Sequence, residues 1–252
     1  MNIAVASYSF HGLLSAKMID VFGYLETAKY RYGLSRADIW NGMFPTYDEA
    51  FLLQVKEALD ERGLTVANLC IDQAHIWDDD PEVRAQNAEN AKGALNAAVL
   101  LEADTIRIDA GSRDDVWSDE QFDLIASTYR QWAQFGYDNG FRVGPENHWG
   151  TENIPANMVK LCEAVDHPGF GVLLHFKDVQ GDATFAKWAM HTHVPYEWAL
   201  SADFEPSMRM LADTGYQGCW SAEHHSGKNE YSQVAVQVAR INEWLERSRL
   251  TE

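Results

Sequence analysis

Six of the nine histidines lie in four short stretches, and two of these stretches also carry a glutamate. The stretches are Gly144–His148, Leu173–Phe176, Met190–Val194 and Ser221–His225. Imidazole and carboxylate groups together bind divalent metals and carry out acid–base chemistry near neutral pH. If the fold brings the four stretches to one point, the sequence predicts a site that combines both.

The helices and strands that must position these residues follow a repeated sequence pattern. An amphipathic helical pattern is followed by glycine, by an apolar residue and then by a strand-like run, at Gly33, Gly63, Gly140 and Gly215. Glycine in this place is typical of the left-handed residue that ends a helix. Four copies of one junction predict alternating helices and strands.

Eight strands are predicted over the chain. They are Asn2–Ser7, Ala37–Trp40, Thr65–Ile71, Thr105–Asp109, Phe141–Glu146, Gly171–His175, Met190–Val194 and Cys219–Glu223. Only the connection after His175 lacks a convincing helix. Eight such units in 252 residues favour a single α/β domain over residues 1–252, closed as a (β/α)8 TIM barrel, rather than an open doubly wound sheet. No GxGxxG or P-loop motif follows the first strand.

In a TIM barrel the active site forms at the carboxyl ends of the strands, and side chains two apart on a strand share a face. The last four predicted strands end with histidines and glutamates, whose side chains should point into one cavity at this end of the barrel. These residues are His175 and the three pairs Glu146 with His148, His191 with His193, and Glu223 with His225.

The chain resembles the xylose isomerase-like TIM barrels, a superfamily of sugar isomerases, epimerases and lyases that also contains endonuclease IV-type repair nucleases. The resemblance is carried by E-N-H at strand 5, G-F-G-V-L-L at strand 6, the histidine of H-x-H at strand 7, and G-Y-x-G followed by a glutamate at strand 8. It implies one divalent cation held by Glu146, His175, His193 and Glu223.

Two departures from the family pattern concern the metal and the substrate. The family usually has aspartate at the position of His175, so the ligand set here has two imidazoles. We therefore expect Mn2+, with Co2+, Zn2+ or Fe2+ as alternatives, and Mg2+ is less suited. The Lys-Asp that usually follows the strand-7 histidine is replaced by Val194-Pro195-Tyr196, which disfavours a typical sugar-phosphate substrate.

The family chemistry implies proton abstraction next to the carbonyl of a keto-sugar, through an enediolate. His148, His191 and His225 are the predicted catalytic residues, because each imidazole can act as base or acid. A surplus of histidine fits β-elimination as well as isomerisation or epimerisation. For His148, orientation of Glu146 is the competing role.

A narrower resemblance supports elimination. H-T-H-V and W-S-x-E-H-H-S-G-K-N-E-Y are similar to the catalytic subunit of bacterial C-glycoside deglycosidases, which cleave a 3-oxo-glucosyl group from an aromatic aglycone. This resemblance implies a metal, a smaller β-rich partner subunit, His148 as the base, and His191 or His225 assisting the leaving group.

Four residues near the ends of strands 2 to 4 are predicted to bind the substrate, the tryptophan by stacking on a sugar or flat aglycone and the others by hydrogen bonds to hydroxyls. These residues are Asp38, Trp40, Gln73 and Arg107. Packing for the tryptophan, and an internal salt bridge across the barrel for the charged members, explain these residues equally well.

Composition excludes several classes of function. Two alternative functions are a repair nuclease of the endonuclease IV type and a non-catalytic metal-binding subunit. The net charge of −18 argues against a nucleic-acid or anionic-membrane partner, and therefore against the nuclease. Three scattered cysteines and an amino terminus without a signal-like segment lead us to expect free thiols and a cytoplasmic protein, and we expect it to be oligomeric.

Overall fold

Eight parallel strands form the centre of the molecule. The computed structural model describes residues 2–249, so Met1 and the last three residues of the predicted domain lie outside the described residues. The strands are β1 (Ile3–Val5), β2 (Arg36–Trp40), β3 (Thr65–Ile71), β4 (Thr105–Ile108), β5 (Arg142–Gly144), β6 (Val172–His175), β7 (Ala189–Pro195) and β8 (Trp220–Glu223).

The strands close into a barrel. Backbone hydrogen bonds join β1-β8-β7-β6 in one sheet and β2-β3-β4-β5 in another. Parallel bridges connect the two sheets, between Ala6 and Asp38 on one side and between Glu146 and Leu173 on the other. The predicted (β/α)8 TIM barrel is confirmed, and its carboxyl strand ends meet at one mouth.

Helices surround the barrel between successive strands. They are α1 (His11–Ser15), α2 (Val21–Glu26), α3 (Glu49–Arg62), α4 (Pro81–Leu100), α5 (Asp119–Asn139), α6 (Pro155–Val165), α7 (Val179–Ala183), α8 (Tyr196–Ala199), α9 (Phe204–Ala212) and α10 (Glu230–Arg249). The four junction glycines all have positive φ, as their position after a helix predicts. None of the helices within residues 2–249 is long and apolar enough to cross a membrane.

Some predicted boundaries differ from the structure. β1 and β5 are shorter than predicted, so Glu146 lies two residues beyond its strand, where only a single bridge to Leu173 continues the pairing. The doubtful connection after His175 contains the five-residue helix α7, which begins after Asp178. The side chain of Asp178 accepts hydrogen bonds from the backbone N–H groups of Gln180 and Gly181 and so caps this helix.

The barrel has an apolar outer core and a polar interior. Apolar side chains of the strands pack under the helices, whereas Asp38, Asn68, His191 and Ser221 are fully buried inside the barrel. All three cysteines are buried free thiols, as the sequence predicts. Buried polar groups need partners, and the Asp38 carboxylate accepts a hydrogen bond from each of the Asn68, His191 and Ser221 side chains.

Candidate active site

Four predicted metal ligands converge at the barrel mouth. His175 Nδ1 lies 2.9 Å from Glu146 Oε1 and 3.3 Å from Glu223 Oε2. His193 Nδ1 lies 3.5 Å and 3.2 Å from the same two oxygens. The four ligand atoms lie within 4.8 Å of one another, and all four residues are buried.

The donor atoms of this cluster fit a divalent cation. His193 Nδ1 and Glu223 Oε2 are buried, and neither has a hydrogen-bond partner among the described residues. Burying such groups without a partner is costly, and a cation would satisfy both. Two carboxylate oxygens and two imidazole nitrogens are a donor set that suits Mn2+, Co2+, Zn2+ or Fe2+.

The neighbouring charges hold the glutamates ionised. Burial raises the pKa of Glu146 and of Glu223, but the surrounding imidazoles outweigh it and place both pKa values well below the ordinary one. For His193, burial lowers the pKa, whereas Glu223 and Asp38 raise it further, so that it lies well above the ordinary value. The cluster therefore attracts positive charge, whether carried by protons or by a metal.

Asp38 lies beneath the cluster and fixes the orientation of His193. Its Oδ2 accepts hydrogen bonds from His193 Nε2 at 2.9 Å, His191 Nε2 at 2.9 Å and Ser221 Oγ at 2.7 Å. Its Oδ1 accepts one from Asn68 Nδ2 at 2.9 Å. Since Nε2 of His193 donates to Asp38, Nδ1 can present a lone pair to the ligand cluster.

Asn147 holds the backbone of His175 in place. Its side chain accepts a hydrogen bond from the His175 N–H at 2.7 Å and donates one to the His175 carbonyl at 2.8 Å. This amide substitutes for strand pairing where β5 has already ended. The middle residue of the E-N-H motif thus links two strands, while Glu146 before it joins the cluster.

Two imidazoles lie above the cluster and are open to solvent. The His148 side chain is 43% exposed, and its Nδ1 lies 3.6 Å from Asp109 Oδ2. Burial lowers the pKa of His148, but Glu146 and Asp109 outweigh it and raise the pKa above its ordinary value. His225 is 39% exposed, and its Nε2 lies 3.1 Å from Glu223 Oε2. Both rings are within reach of a molecule bound at the cluster.

Arg107 joins the wall of the cavity to the cluster. Its Nη1 donates hydrogen bonds to Asp72 Oδ1 at 3.0 Å and Asp109 Oδ2 at 3.1 Å, and its Nε lies 3.2 Å from Glu146 Oε2. Trp40 Nε1 donates to the other oxygen of Asp72 at 2.7 Å. The internal salt bridge considered for Arg107 is present, yet the same residue also lines the cavity.

The catalytic cavity, as we call this space, has a volume of about 130 Å3. Its lining includes Tyr8, Trp40, Asp72, Arg107, His148, Glu223 and His225. Sequence reasoning missed Tyr8 and Asp72. Both follow the end of a strand, β1 and β3 respectively, and the strand-end rule applied to every strand would have found them.

Three predicted site residues belong neither to the ligand cluster nor to the lining of the catalytic cavity. Asp38 and His191 are fully buried below the cluster. Burial lowers the pKa of His191, and Asp38 raises it by less, so its ring is held neutral in the interior. Gln73 is exposed with a φ of 58°, and its carbonyl accepts a hydrogen bond from Asn90.

Comparison with known proteins agrees with this fold. A 3-keto-D-glucoside 4-epimerase from E. coli superposes with a TM-score of 0.76 at 16% identity, over 96% of this chain and 99% of that chain. A D-tagatose 3-epimerase-like protein superposes with a TM-score of 0.79 at 15% identity, over 100% of this chain and 99% of that chain. A probable 3-DHS dehydratase from Bacillus anthracis superposes with a TM-score of 0.73 at 14% identity, over 96% of this chain and 99% of that chain.

These superpositions show a shared fold. No curated protein sequence matches the chain significantly. The sequence profile described as xylose isomerase-like TIM barrel matches residues 30–182, which is more than half of the chain. The chain therefore belongs to the xylose isomerase-like TIM barrel family.

Proposed function

We propose that this chain is a metal-dependent enzyme that removes a proton from the carbon next to the carbonyl of a keto-sugar or a 3-oxo-glycoside. The observation that carries the proposal is the convergence of four ligand atoms beside two half-exposed imidazoles, His148 and His225. Two of the similar structures carry the names of sugar epimerases, and one is named for 3-keto-D-glucosides, which supports a sugar as substrate.

Glu146, His175, His193 and Glu223 would hold the ion, which we propose to be Mn2+, with Co2+, Zn2+ and Fe2+ as alternatives. A bound divalent cation would polarise the substrate carbonyl and make the neighbouring C–H more acidic. Asp38 would keep His193 in the tautomer that can bind the ion.

His148 is the proposed base. Its exposed ring lies beside the cluster, and the Asp109 carboxylate orients it and raises its pKa. Lys177 fixes the loop, because its ammonium group donates hydrogen bonds to the His148 carbonyl at 2.6 Å and to Asn153 Oδ1 at 2.9 Å. A base with a raised pKa and a held position suits abstraction of a weakly acidic proton.

His225 is the proposed acid. Its ring centroid lies 5.5 Å from that of His175, whereas the His148 centroid lies 6.5 Å from the same ring. Two separate imidazoles allow one to take a proton and the other to give one. Arg107 would bind substrate hydroxyls, and the Trp40 ring would stack on the sugar, because its N–H already donates to Asp72. Asp38 and His191 would support the site from below.

Separate acid and base groups support β-elimination as well as epimerisation. In the elimination, the base takes the proton on the carbon next to the carbonyl. The electron pair of that C–H bond forms a C=C bond, and the bond to the group on the following carbon breaks. His225 protonates the leaving group. With a 3-oxo-C-glucoside this is C-glycoside cleavage, for which we also propose a small β-rich partner subunit.

Deuterium exchange tests the proposed step without assuming its product. The metal-loaded protein is incubated with a methyl 3-oxo-glucoside in D2O, and NMR measures deuterium at the carbons next to the carbonyl. Glu146→Gln and Glu223→Gln should lose both bound metal and exchange. His148→Asn should keep its metal and lower the exchange rate by about 10²- to 10⁴-fold. His167→Asn, a surface histidine hydrogen-bonded to Gln134, is the matched control.

Full exchange activity in a chelator-treated, metal-free preparation would overturn the proposal. A 3-oxo-C-glucoside with an aromatic aglycone then separates the two reactions, because only elimination releases aglycone. If release occurs only after a β-rich subunit from the same source is added, the proposed partner is required. Tight binding to abasic duplex DNA at physiological salt would instead favour a nuclease, which the net charge of −18 disfavours.

A further inference from the structure

A second cavity lies at the same mouth of the barrel, and the proposed reaction does not use it. Its volume is about 220 Å3, and we call it the rim pocket. Its lining includes Trp77, Asp78, Ser112, Arg113, Asp114 and Trp149. They come from the loops after β3, β4 and β5. These are the loops on which TIM barrels carry their binding residues.

The walls of the rim pocket are fixed by backbone contacts. Trp77 N–H donates a hydrogen bond to the Ala110 carbonyl at 2.7 Å, and Trp77 pairs with Gly111 as a parallel bridge. Gly111 has a φ of 86°, and a Cβ there would lie 2.0 Å from the Trp77 carbonyl oxygen. Gly150 has a φ of 56°, and its Cβ would lie 2.2 Å from the Ser112 carbonyl oxygen. The three loops are thus packed backbone to backbone, which gives the pocket a preformed shape.

The chemistry of the walls suits an uncharged ring that bears hydroxyl groups. Two indole rings, those of Trp77 and Trp149, supply flat apolar surfaces to the walls. The Trp149 ring has the Arg113 guanidinium 5.3 Å from its centroid and His75 in edge contact at 5.4 Å, and the Trp77 ring has the Arg84 guanidinium 4.6 Å from its centroid. Asp78 and Asp114 offer hydrogen-bond acceptors, and with Asp79 they outnumber the single cation of Arg113. An anionic ligand is therefore disfavoured, whereas hydroxyl donors around a stacked ring find acceptors.

The position of the rim pocket relates it to the catalytic cavity. Trp149 directly follows His148, which lines the catalytic cavity, so one loop contributes to both spaces. Each volume alone is below the ~300 to 1,000 Å3 of a typical ligand pocket, whereas the two together reach the lower end of that range. A substrate longer than one sugar ring would have to place its second part outside the catalytic cavity.

We propose that the rim pocket binds the group attached to the reacting keto-sugar, and that this group is an uncharged, hydroxyl-bearing ring. The inference rests on the proposed function for the identity of the first ring, but not for the binding chemistry of the second. A second sugar ring and a phenolic aglycone share this chemistry, and the substrates chosen for the test distinguish them.

The kinetic test compares three substrates by deuterium exchange. Methyl 3-oxo-glucoside has no second ring, a 3-oxo-disaccharide has a sugar as its second ring, and a hydroxyphenyl 3-oxo-glucoside has a phenol. Trp77→Ala should lower kcat/KM for one or both ring-bearing substrates, relative to the methyl substrate, by about tenfold. Trp188→Ala, which removes an indole next to the start of β7 at the opposite end of the barrel, is the matched control and should leave the ratio unchanged.

An unchanged ratio in Trp77→Ala for both ring-bearing substrates would overturn the proposal. Which of the two substrates loses its advantage identifies the sugar or the phenol. A binding test keeps the inference separate from the reaction, because it needs no turnover. Isothermal titration of the metal-loaded protein with a methyl disaccharide and with hydroxyphenyl glucoside, both without a keto group, should show binding of at least one that Trp77→Ala weakens. Absence of binding by both would overturn the rim-pocket proposal even if exchange occurs, and binding without exchange would overturn only the proposed reaction.

Discussion

Replacing Asp38 with asparagine tests whether the buried network below the metal ligands sets the affinity for the ion. Asparagine keeps the size of the side chain and removes its charge. With its amide oxygen in the place of Oδ2, the asparagine can still accept a hydrogen bond from His193, and its NH2 group then faces Nδ2 of Asn68. The His193 ring therefore keeps an acceptor that is weaker than a carboxylate.

The expected loss can be estimated from the bonds that change. A hydrogen bond to a charged group contributes about 1.5–3 kcal/mol and a neutral one about 0.5–1.5 kcal/mol. Weakening the His193 bond in this way costs about 1 kcal/mol, and removal of a buried negative charge near the cation adds to it. Loss of the partner of a metal-binding histidine typically lowers metal affinity by about 10- to 100-fold, which is ~1.4–2.7 kcal/mol. We expect Asp38→Asn to fall in this range.

Chelator competition with Co2+ or Mn2+ measures the affinity, and circular dichroism with urea unfolding shows that the variant is folded. Ser221→Ala is the matched control, because it removes a hydroxyl that donates to the same oxygen of Asp38 at 2.7 Å and leaves the carboxylate in place. Its metal affinity should stay within about threefold of the wild type. A folded Asp38→Asn protein with wild-type affinity would refute the role given to this network.

Three further predictions concern the surroundings of the site. Asp109→Asn should lower the pKa of His148, because the carboxylate raises it. The acidic limb of the pH profile for deuterium exchange, along which the base loses its proton, should therefore move to lower pH while the maximal rate falls. Burial raises the pKa of Asp182 from 3.8 to about 6, although two backbone N–H groups lower it. The stability that this group contributes is present below pH 3.8 and is lost as the pH rises through about 6. Between pH 4 and pH 7 the free energy of unfolding in urea should therefore fall by up to about 3 kcal/mol more for the wild type than for Asp182→Asn. An equal dependence of the unfolding free energy on pH in the two proteins would contradict this. Gly150→Ala should be less stable by at least about 1–3 kcal/mol, because its φ is 56° and its Cβ would contact a neighbouring backbone oxygen. Gly140→Ala, where φ is 85° and nothing lies within 4 Å, should lose less in the same thermal unfolding experiment.

The barrel could be predicted from the sequence because its signals are local. A left-handed glycine after each of four helices and a buried strand soon after it depend on a few neighbouring residues. The ends of β5 and α7 were harder to predict. Glu146 and Asn147 lie where β5 no longer pairs regularly, and the Asn147 side chain replaces the missing backbone bonds. A side chain from one strand that substitutes for the backbone of another is a tertiary feature without a local sequence signal.

The three pairs of residues at i and i+2 show why the site could be predicted only in part. This spacing decides which face of a strand two residues share, but it also separates them by about 6.6 Å along the strand. In the pairs that follow β5 and end β8, the first member joins the cluster and the second, His148 or His225, lies above it towards solvent. In β7 the second member, His193, joins the cluster, so the first member, His191, lies one layer deeper.

Depth along the barrel axis therefore distinguishes residues that the two-residue periodicity of a strand places on the same face. Asp38 occupies the deeper layer on β2, two residues before Trp40, which lines the catalytic cavity. At that depth the Asp38 carboxylate reaches the far nitrogen of His193 at 2.9 Å, whereas a substrate in the catalytic cavity would meet Trp40 first. The strand register, which has an irregularity between Ala37 and Asp38, sets this depth. Register between strands distant in sequence is fixed by packing of the closed barrel, and a single chain read locally does not contain it.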